Sequence, residues 1–304
     1  MNHTKVLLSI ILLSIFLISS SSSTGNESVI DIPMGAETRN GSANDITSDH
    51  KSEHLDTLSL IFSDEFEYEG RPDPEKWHYQ VVGPAKGHWF NAEKQHYTAR
   101  PENSYVSDGT LKIRALREKY TSDGITKSFT SARLNSKFAF TYGRVEVRAK
   151  LPSPGGTWPA IWTLGANIDE TGNYFGSEYG SVGWPACGEI DIMEQRGWDK
   201  NTSLGYFHWG NTQTGAYQTE GSTIPNPGST EEFHLYILQW DEEYMRIYVD
   251  DTLVHELSNT TDKPYDNPHY LLLNVAMGGN LGGEIPASFT EGIMEVDYVR
   301  VYSN

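Results

Sequence analysis

The chain has 304 residues and a formal net charge of −18, is 12% aromatic, and contains 28 glycines and 8 tryptophans. So acidic a balance excludes partners recognised through phosphate, namely nucleic acid and anionic membrane surfaces, because phosphate binding needs a basic face. The composition is that of a globular protein with length for one large β domain plus extra segments, and it suits a neutral or weakly charged ligand.

Residues 1–23 read as a signal peptide: a short polar start, an apolar run from Val6 to Ile18, then the small residues Ser19 to Ser23. The run falls short of the roughly 20 residues needed to span a bilayer, so export is expected, to the extracellular space or a periplasm, with no membrane contact once the signal is removed. Residues 24–57 are rich in Ser, Thr, Asn, Gly and Asp, bury too little apolar surface to offset ordering entropy, and are expected to form a disordered spacer. Cys187 is the only cysteine, so no intrachain disulfide is available and the folded domain, 58–304, must stand on its core.

Dense apolar alternation begins at Leu58. Gly109–Ala115 sets Leu111, Ile113 and Ala115 against Lys112 and Arg114, and Gly143–Lys150 repeats the pattern. Further strands are expected at His234–Trp240, Tyr244–Val249, Tyr270–Ala276 and Met294–Tyr302, and no long window shows a helical period. Short strands separated by Gly, Pro and Asn turns indicate an all-β antiparallel sandwich.

The stretch from Gly188 to Gly197 places Glu189, Asp191 and Glu194 among Ile190, Ile192 and Met193. In a strand, Glu189 and Asp191 share one face, and Glu194, an odd number of residues from Glu189, would fall on the apolar face at high cost. One extra residue near Met193, a β-bulge, returns Glu194 to the face of the other two. Two such Glu suit the roughly 5–5.5 Å separation of a retaining glycosidase, and crowding would keep one protonated while the other is ionised. A solvated acidic face or a calcium site remains the alternative at this point.

Around this strand, Trp158 and Trp162 lie in Gly156–Gly165, Trp184 and Trp198 flank the acids, and Trp209 follows. Each is either core or a platform for the flat C–H face of a sugar, and their number favours a sugar cleft. His208 is expected beside Glu194 on a neighbouring strand, bonding the acid or a sugar hydroxyl. Asn91 and Arg133 are candidate donors to sugar hydroxyls, or a turn cap and an ion-pair partner. Motifs for catalytic zinc, nucleotide phosphate or a serine nucleophile are absent from the sequence.

Taken together, residues 58–303 resemble glycoside hydrolase family 16, specifically its laminarinase-like endo-β-1,3-glucanases. The resemblance rests on Gly188-Glu-Ile-Asp-Ile-Met-Glu194, matching the bulged E-x-D-x-x-E signature, with Trp158-Pro-Ala-Ile-Trp162, Trp184-Pro-Ala-Cys-Gly188, His208-Trp209 and Val296-Asp-Tyr-Val-Arg-Val-Tyr302. It implies a β-jelly roll of two curved antiparallel sheets with a concave substrate cleft. Glu189 would be the nucleophile, Glu194 the acid/base, and Asp191 the residue between them. Asn91, Arg133, Trp158 and Trp162 would line subsites on the non-reducing side, with His208 and Trp209 on the leaving-group side. It implies no cofactor for catalysis, a structural calcium at Glu65, Gly109 and Asp297, a β-glucan substrate and a monomer. The chain departs from the family at Phe90 and Ala92, where members often carry Gly and Asn, and at Ala132, where they carry Gly. Hydrolysis of another polysaccharide such as agarose, or glucan binding without catalysis, is the alternative.

Overall fold

The computed structural model describes residues 58–303; the expected signal peptide and spacer, 1–57, lie outside the described residues. In chain order the first strands are β1 (Ser59–Asp64), β2 (Trp77–Tyr79), β3 (Gln95–Tyr97), β4 (Ser104–Ser107), β5 (Thr110–Ser122), β6 (Ile125–Ser131) and β7 (Arg133–Phe140). The middle of the chain forms β8 (Gly143–Lys150), β9 (Thr157–Gly165), β10 (Glu189–Glu194), β11 (Thr202–Gly210) and β12 (Tyr217–Pro225). The last third gives β13 (His234–Trp240), β14 (Tyr244–Val249), β15 (Thr252–Ser258), β16 (His269–Met277), the one-turn helix α1 (Gly279–Gly282) and β17 (Glu291–Ser303).

These strands make two sheets. One runs β15-β14-β13-β8-β17-β5-β6-β3, with β1 added on β17 and β4 on β5; the other runs β12-β11-β10-β9-β16-β7-β2. All pairings are antiparallel except β3 with β6. The architecture is the expected β-jelly roll sandwich, and the seven-stranded sheet carries the acidic strand β10.

Period-two patterning explains why the sheets stack. In β8, Val145, Val147 and Ala149 are fully buried while Arg144, Glu146, Arg148 and Lys150 face outward. In β17 the buried set changes parity from Met294 and Val296 to Val299 and Val301, and the register with β8 shifts between Val296 and Tyr298, so a bulge keeps the apolar residues inside. Trp77, Trp240, Tyr236 and Phe207 are among the bulkiest members of the resulting core, each contributing on the order of 1.5–3 kcal/mol by burial.

β16 is buried at all nine positions because both its faces are covered. Leu271, Leu273, Val275 and Met277 enter the main core, while Tyr270 and Leu272 pack outward against Leu164, Ala166, Ile168 and Cys187. The segment after β9 thus closes one end of the outer face of the seven-stranded sheet and leaves the rest as a cleft.

Two cleft strands carry no clear pattern in the sequence. β9 contains Pro159, which ordinarily argues against a central strand. Its carbonyl accepts from Gln195 N at 3.3 Å, so its nitrogen faces the same side, just beyond the bulged end of β10, where no ladder bond is lost. β12 is a sheet edge with mostly exposed residues and no apolar alternation.

Candidate active site

β10 supplies the three acids, and the expected bulge is present. Against β9 the register jumps between Asp191 and Met193, and against β11 between Asp191 and Glu194. Ile190, Ile192 and Met193 are all fully buried in the core, which turns Glu194 out beside Glu189 and Asp191. The extra residue thus lies in the buried pair Ile192–Met193: against β9, Asp191 pairs with Trp162 and Met193 with Ile161, which leaves Ile192 unpaired.

Each acid has a dedicated partner. Trp158 Nε1 donates to Glu194 Oε1 at 2.7 Å, and Trp184 Nε1 donates to Glu189 Oε2 at 3.1 Å. His208 Nε2 lies 3.1 Å from Asp191 Oδ2. Below them the Tyr265 hydroxyl stands 3.1 Å from the main-chain carbonyls of both Glu189 and His208, sharing its proton between the two paired strands.

The electrostatics follow from crowding in a poorly hydrated floor. Burial first, then the charge of Asp191, pushes Glu189 well above the usual carboxylate range. Asp191 rises to about 8 through burial. Glu194 also rises to about 8, through burial and then Asp191, while the Trp158 bond works in the opposite direction. The three acids cannot all be charged near neutrality, so protons must be shared among them.

Strand register also decides which neighbours reach the cleft. Asp191 stands opposite Trp162 and Glu194 opposite Ala160, so Trp158 and Trp162 share the acids' face of the sheet. On β11, Glu189 stands opposite His208 and Glu194 opposite Leu204. His208 is therefore not beside Glu194, the expected position, but about 13 Å along the strand from that residue's partner, at about 3.3 Å per residue. It serves Asp191 instead. Trp209, expected to bind substrate, is the next residue and points the other way: it is 5% exposed, packs in the core against Tyr265, and lies under Lys263.

Arg133 lies between two indoles, its guanidinium 5.1 Å from the Trp89 ring and 4.9 Å from the Trp162 ring, and Nη2 pairs with Glu170 Oε1 at 3.2 Å. Glu170 leads into the loop at Gly172–Gly180 and also accepts from Gln80 Nε2 at 2.7 Å, so this loop is tied to the cleft wall. Asn91 sits on the rim with a left-handed φ of 56°, its side chain 3.3 Å from Asn280 Nδ2 after α1 begins.

Several cleft residues carried no signal in sequence. Trp162 Nε1 donates to Asn274 Oδ1 at 2.7 Å, Asn274 Nδ2 donates to the Tyr97 hydroxyl at 3.0 Å, and Tyr97 donates to Glu93 Oε2 at 3.2 Å. Burial raises Glu93 above its ordinary range, against the bond from Gln95. Tyr97 lies on β3 with Glu93 just before it, and Asn274 on β16, far apart in the chain, and only the folded structure unites them. Tyr217, on the edge strand β12, places its hydroxyl 2.9 Å from His208 Nδ1.

Comparison with known proteins agrees with this geometry. Residues 91–300 match the profile of Glycosyl hydrolases family 16. The chain belongs to that family. It is 41% identical over 272 residues to a Beta-glucanase of Rhodothermus marinus, covering 83% of this chain and 87% of that protein. Among solved structures, LamAcat from Zobellia galactanivorans superposes with a TM-score of 0.80 at 64% identity, covering 81% of this chain and 98% of that one. LamA of the same organism, crystallised with laminaritriose and laminaritetraose, matches with the same TM-score and identity. As a family 16 chain, this protein is a glycoside hydrolase.

The calcium expected of this family 16 fold would fall where β17 passes β1 and β5, since Asp64 pairs with Val299 and Leu111 with Val296. There the Glu65 carboxylate grips Arg300 at 2.8 and 2.9 Å, and Asp297 Oδ2 accepts from Arg148 at 2.5 Å. Both carboxylates are thus engaged by arginines, which leaves them weak ligands for a calcium ion. In the cleft, ligand-capable atoms of Glu189, Asp191 and His208 lie within 4.8 Å of one another, a His-carboxylate cluster that spacing in the sequence did not reveal. The pairing of Glu189 opposite His208 and the contact between His208 and Asp191 account for that closeness.

Proposed function

We propose that the protein is a secreted, retaining endo-β-glucanase that cleaves β-1,3-linked glucan of the laminarin type, with mixed-linkage β-1,3-1,4-glucan as a secondary substrate. The observation that carries this reading is the bulge at Met193, which sets Glu189, Asp191 and Glu194 on one face among Trp158, Trp162 and Trp184.

In this reading Glu194, raised by burial, enters protonated and donates to the leaving oxygen. Glu189 attacks the anomeric carbon, and Asp191 takes the proton the pair shares, leaving Glu189 ionised at that moment. Trp184 steadies the nucleophile through its N–H. Water then attacks the glycosyl-enzyme with Glu194 as base, and the configuration is retained. Arg133, Trp162 and Asn91 form the wall on the non-reducing side. The related LamA complex with laminari-oligosaccharides supports a β-1,3-glucan in the cleft. Residues 1–23 would direct export, and the catalytic domain would act as a monomer.

Reducing-end assays of the purified protein on laminarin, lichenan, curdlan, agarose and carrageenan test the substrate. Activity confined to agarose or carrageenan would overturn the β-1,3 reading, and binding of laminarin without hydrolysis would mark a glucan-binding protein. Proton NMR of the first-formed anomer tests retention. N-terminal sequencing of exported protein tests the signal cleavage.

A further inference from the structure

The hydrogen bonds around Asp191 do not end at His208. His208 Nε2 faces Asp191 Oδ2 at 3.1 Å, and Nδ1 on the opposite side of the ring lies 2.9 Å from the Tyr217 hydroxyl. The two rings are nearly parallel, with 9° between planes and 6.1 Å between centroids. Tyr206 stacks on the other face of the row at 6.1 Å and 14°. Tyr217 is also in contact with Trp184, at 5.2 Å between centroids, and Trp184 donates to Glu189. One aromatic bracket thus reaches both the nucleophile and the acid beside it.

We propose that Tyr217 is a positioning residue of the catalytic carboxylates, its hydroxyl keeping His208 paired at Nδ1 whichever of His208 and Asp191 holds the proton between them. The proposal rests on the assignment of Glu189, Asp191 and Glu194 above.

The argument is one of donors and acceptors. When Asp191 is ionised, His208 must donate from Nε2, so a neutral ring must accept at Nδ1. When Asp191 holds the shared proton, it donates to Nε2, and Nδ1 must carry the hydrogen. A hydroxyl serves both states, because it donates in the first and accepts in the second. No carboxylate or ammonium would do so, since each offers only one role. Burial, and then the charges of Glu189 and Asp191 against the Thr219 bond, raise the Tyr217 pKa and keep its proton in place. The titratable groups facing His208 are Glu189 and Asp191 from β10, Tyr206 on its own strand, Tyr217 from β12 and, at its main chain, Tyr265; Glu194 acts on it only from farther along the strand.

Tyr217→Phe keeps the ring and removes only the hydroxyl. On laminarin its kcat should fall about 3–10-fold, the loss of one hydrogen bond, with KM within about twofold of wild type. Its kcat–pH profile should shift, and the ¹⁵N resonance of His208 Nδ1 should move as its hydroxyl partner is lost. An unchanged kcat, pH profile and Nδ1 resonance would overturn the proposal. So would a rise in KM at constant kcat, which would make Tyr217 a sugar contact. Glu189→Ser, measured in parallel, separates the two levels: its inactivity beside a wild-type-like Tyr217→Phe overturns only the role of Tyr217, whereas its activity overturns the site assignment and the proposal together.

Discussion

The indole N–H of Trp158 donates to Glu194 Oε1 at 2.7 Å, although the two residues are 36 apart in sequence. Trp158 is 7% exposed, so this tryptophan acts on the acid as much as on any ligand. The bond favours the charged carboxylate and holds its pKa down against burial and Asp191.

Trp158→Phe should therefore raise Glu194 further and move the alkaline limb of the kcat–pH profile upward, with kcat lower by about tenfold because one charge-assisted bond is lost. Steady-state rates across pH on laminarin check this. A limb that moves downward would contradict the direction of the bond.

Glu194 also links pH to stability. A carboxyl raised in the folded state contributes fully below its unfolded value of about 4 and loses that contribution as pH rises through about 8. Glu194→Gln does not ionise, so its melting temperature should exceed that of wild type by a margin that widens from about pH 5 to about pH 8, at about 2–4 °C for each kcal/mol relieved. Hydrolysis should be lost. Calorimetry at both pH values decides, and a constant margin would count against burial as the cause.

The Arg133–Glu170 pair is nearly closed to solvent, with side-chain exposures of 8% and 12%. Glu170→Ala strands a buried guanidinium between Trp89 and Trp162 and should cost about 3–5 kcal/mol. The Gly172–Gly180 loop should loosen, and KM for laminarin should rise more than kcat falls. Urea unfolding and hydrogen exchange of the loop measure the two effects; full stability in the variant would show that the pair is solvated.

Ala92 adopts φ 60° directly after Asn91 at 56°, a left-handed conformation that a Cβ disfavours. Ala92→Gly should stabilise the domain by about 0.5–1 kcal/mol, offset in part by unfolded-state entropy, and Ala92→Asn by somewhat less. Thermal melts read this directly. A fall in melting temperature for both variants would mean that the methyl packs rather than strains.

The acidic strand shows how far linear patterning reaches. Ile190, Ile192 and Met193 must be buried, so the out-of-phase Glu194 already demanded an inserted residue, and the register shifts are found there. The same rule applied to β11 places Tyr206 and His208 outward and Phe207 and Trp209 inward. The family resemblance implies a place for Trp209 on the leaving-group side, whereas alternation places it in the core.

By itself the sequence determined the all-β sandwich, most of its long strands, the bulged trio and the family signature, because hydrophobic alternation and local spacing are properties of contiguous residues. Only the tertiary structure decided who serves each acid. Which strands become neighbours sets Trp158 on Glu194, Trp184 on Glu189, and His208 with Tyr217 on Asp191. Those contacts depend on the pairing of β9, β10, β11 and β12, and edge strand β12 has no apolar face from which its place could have been read.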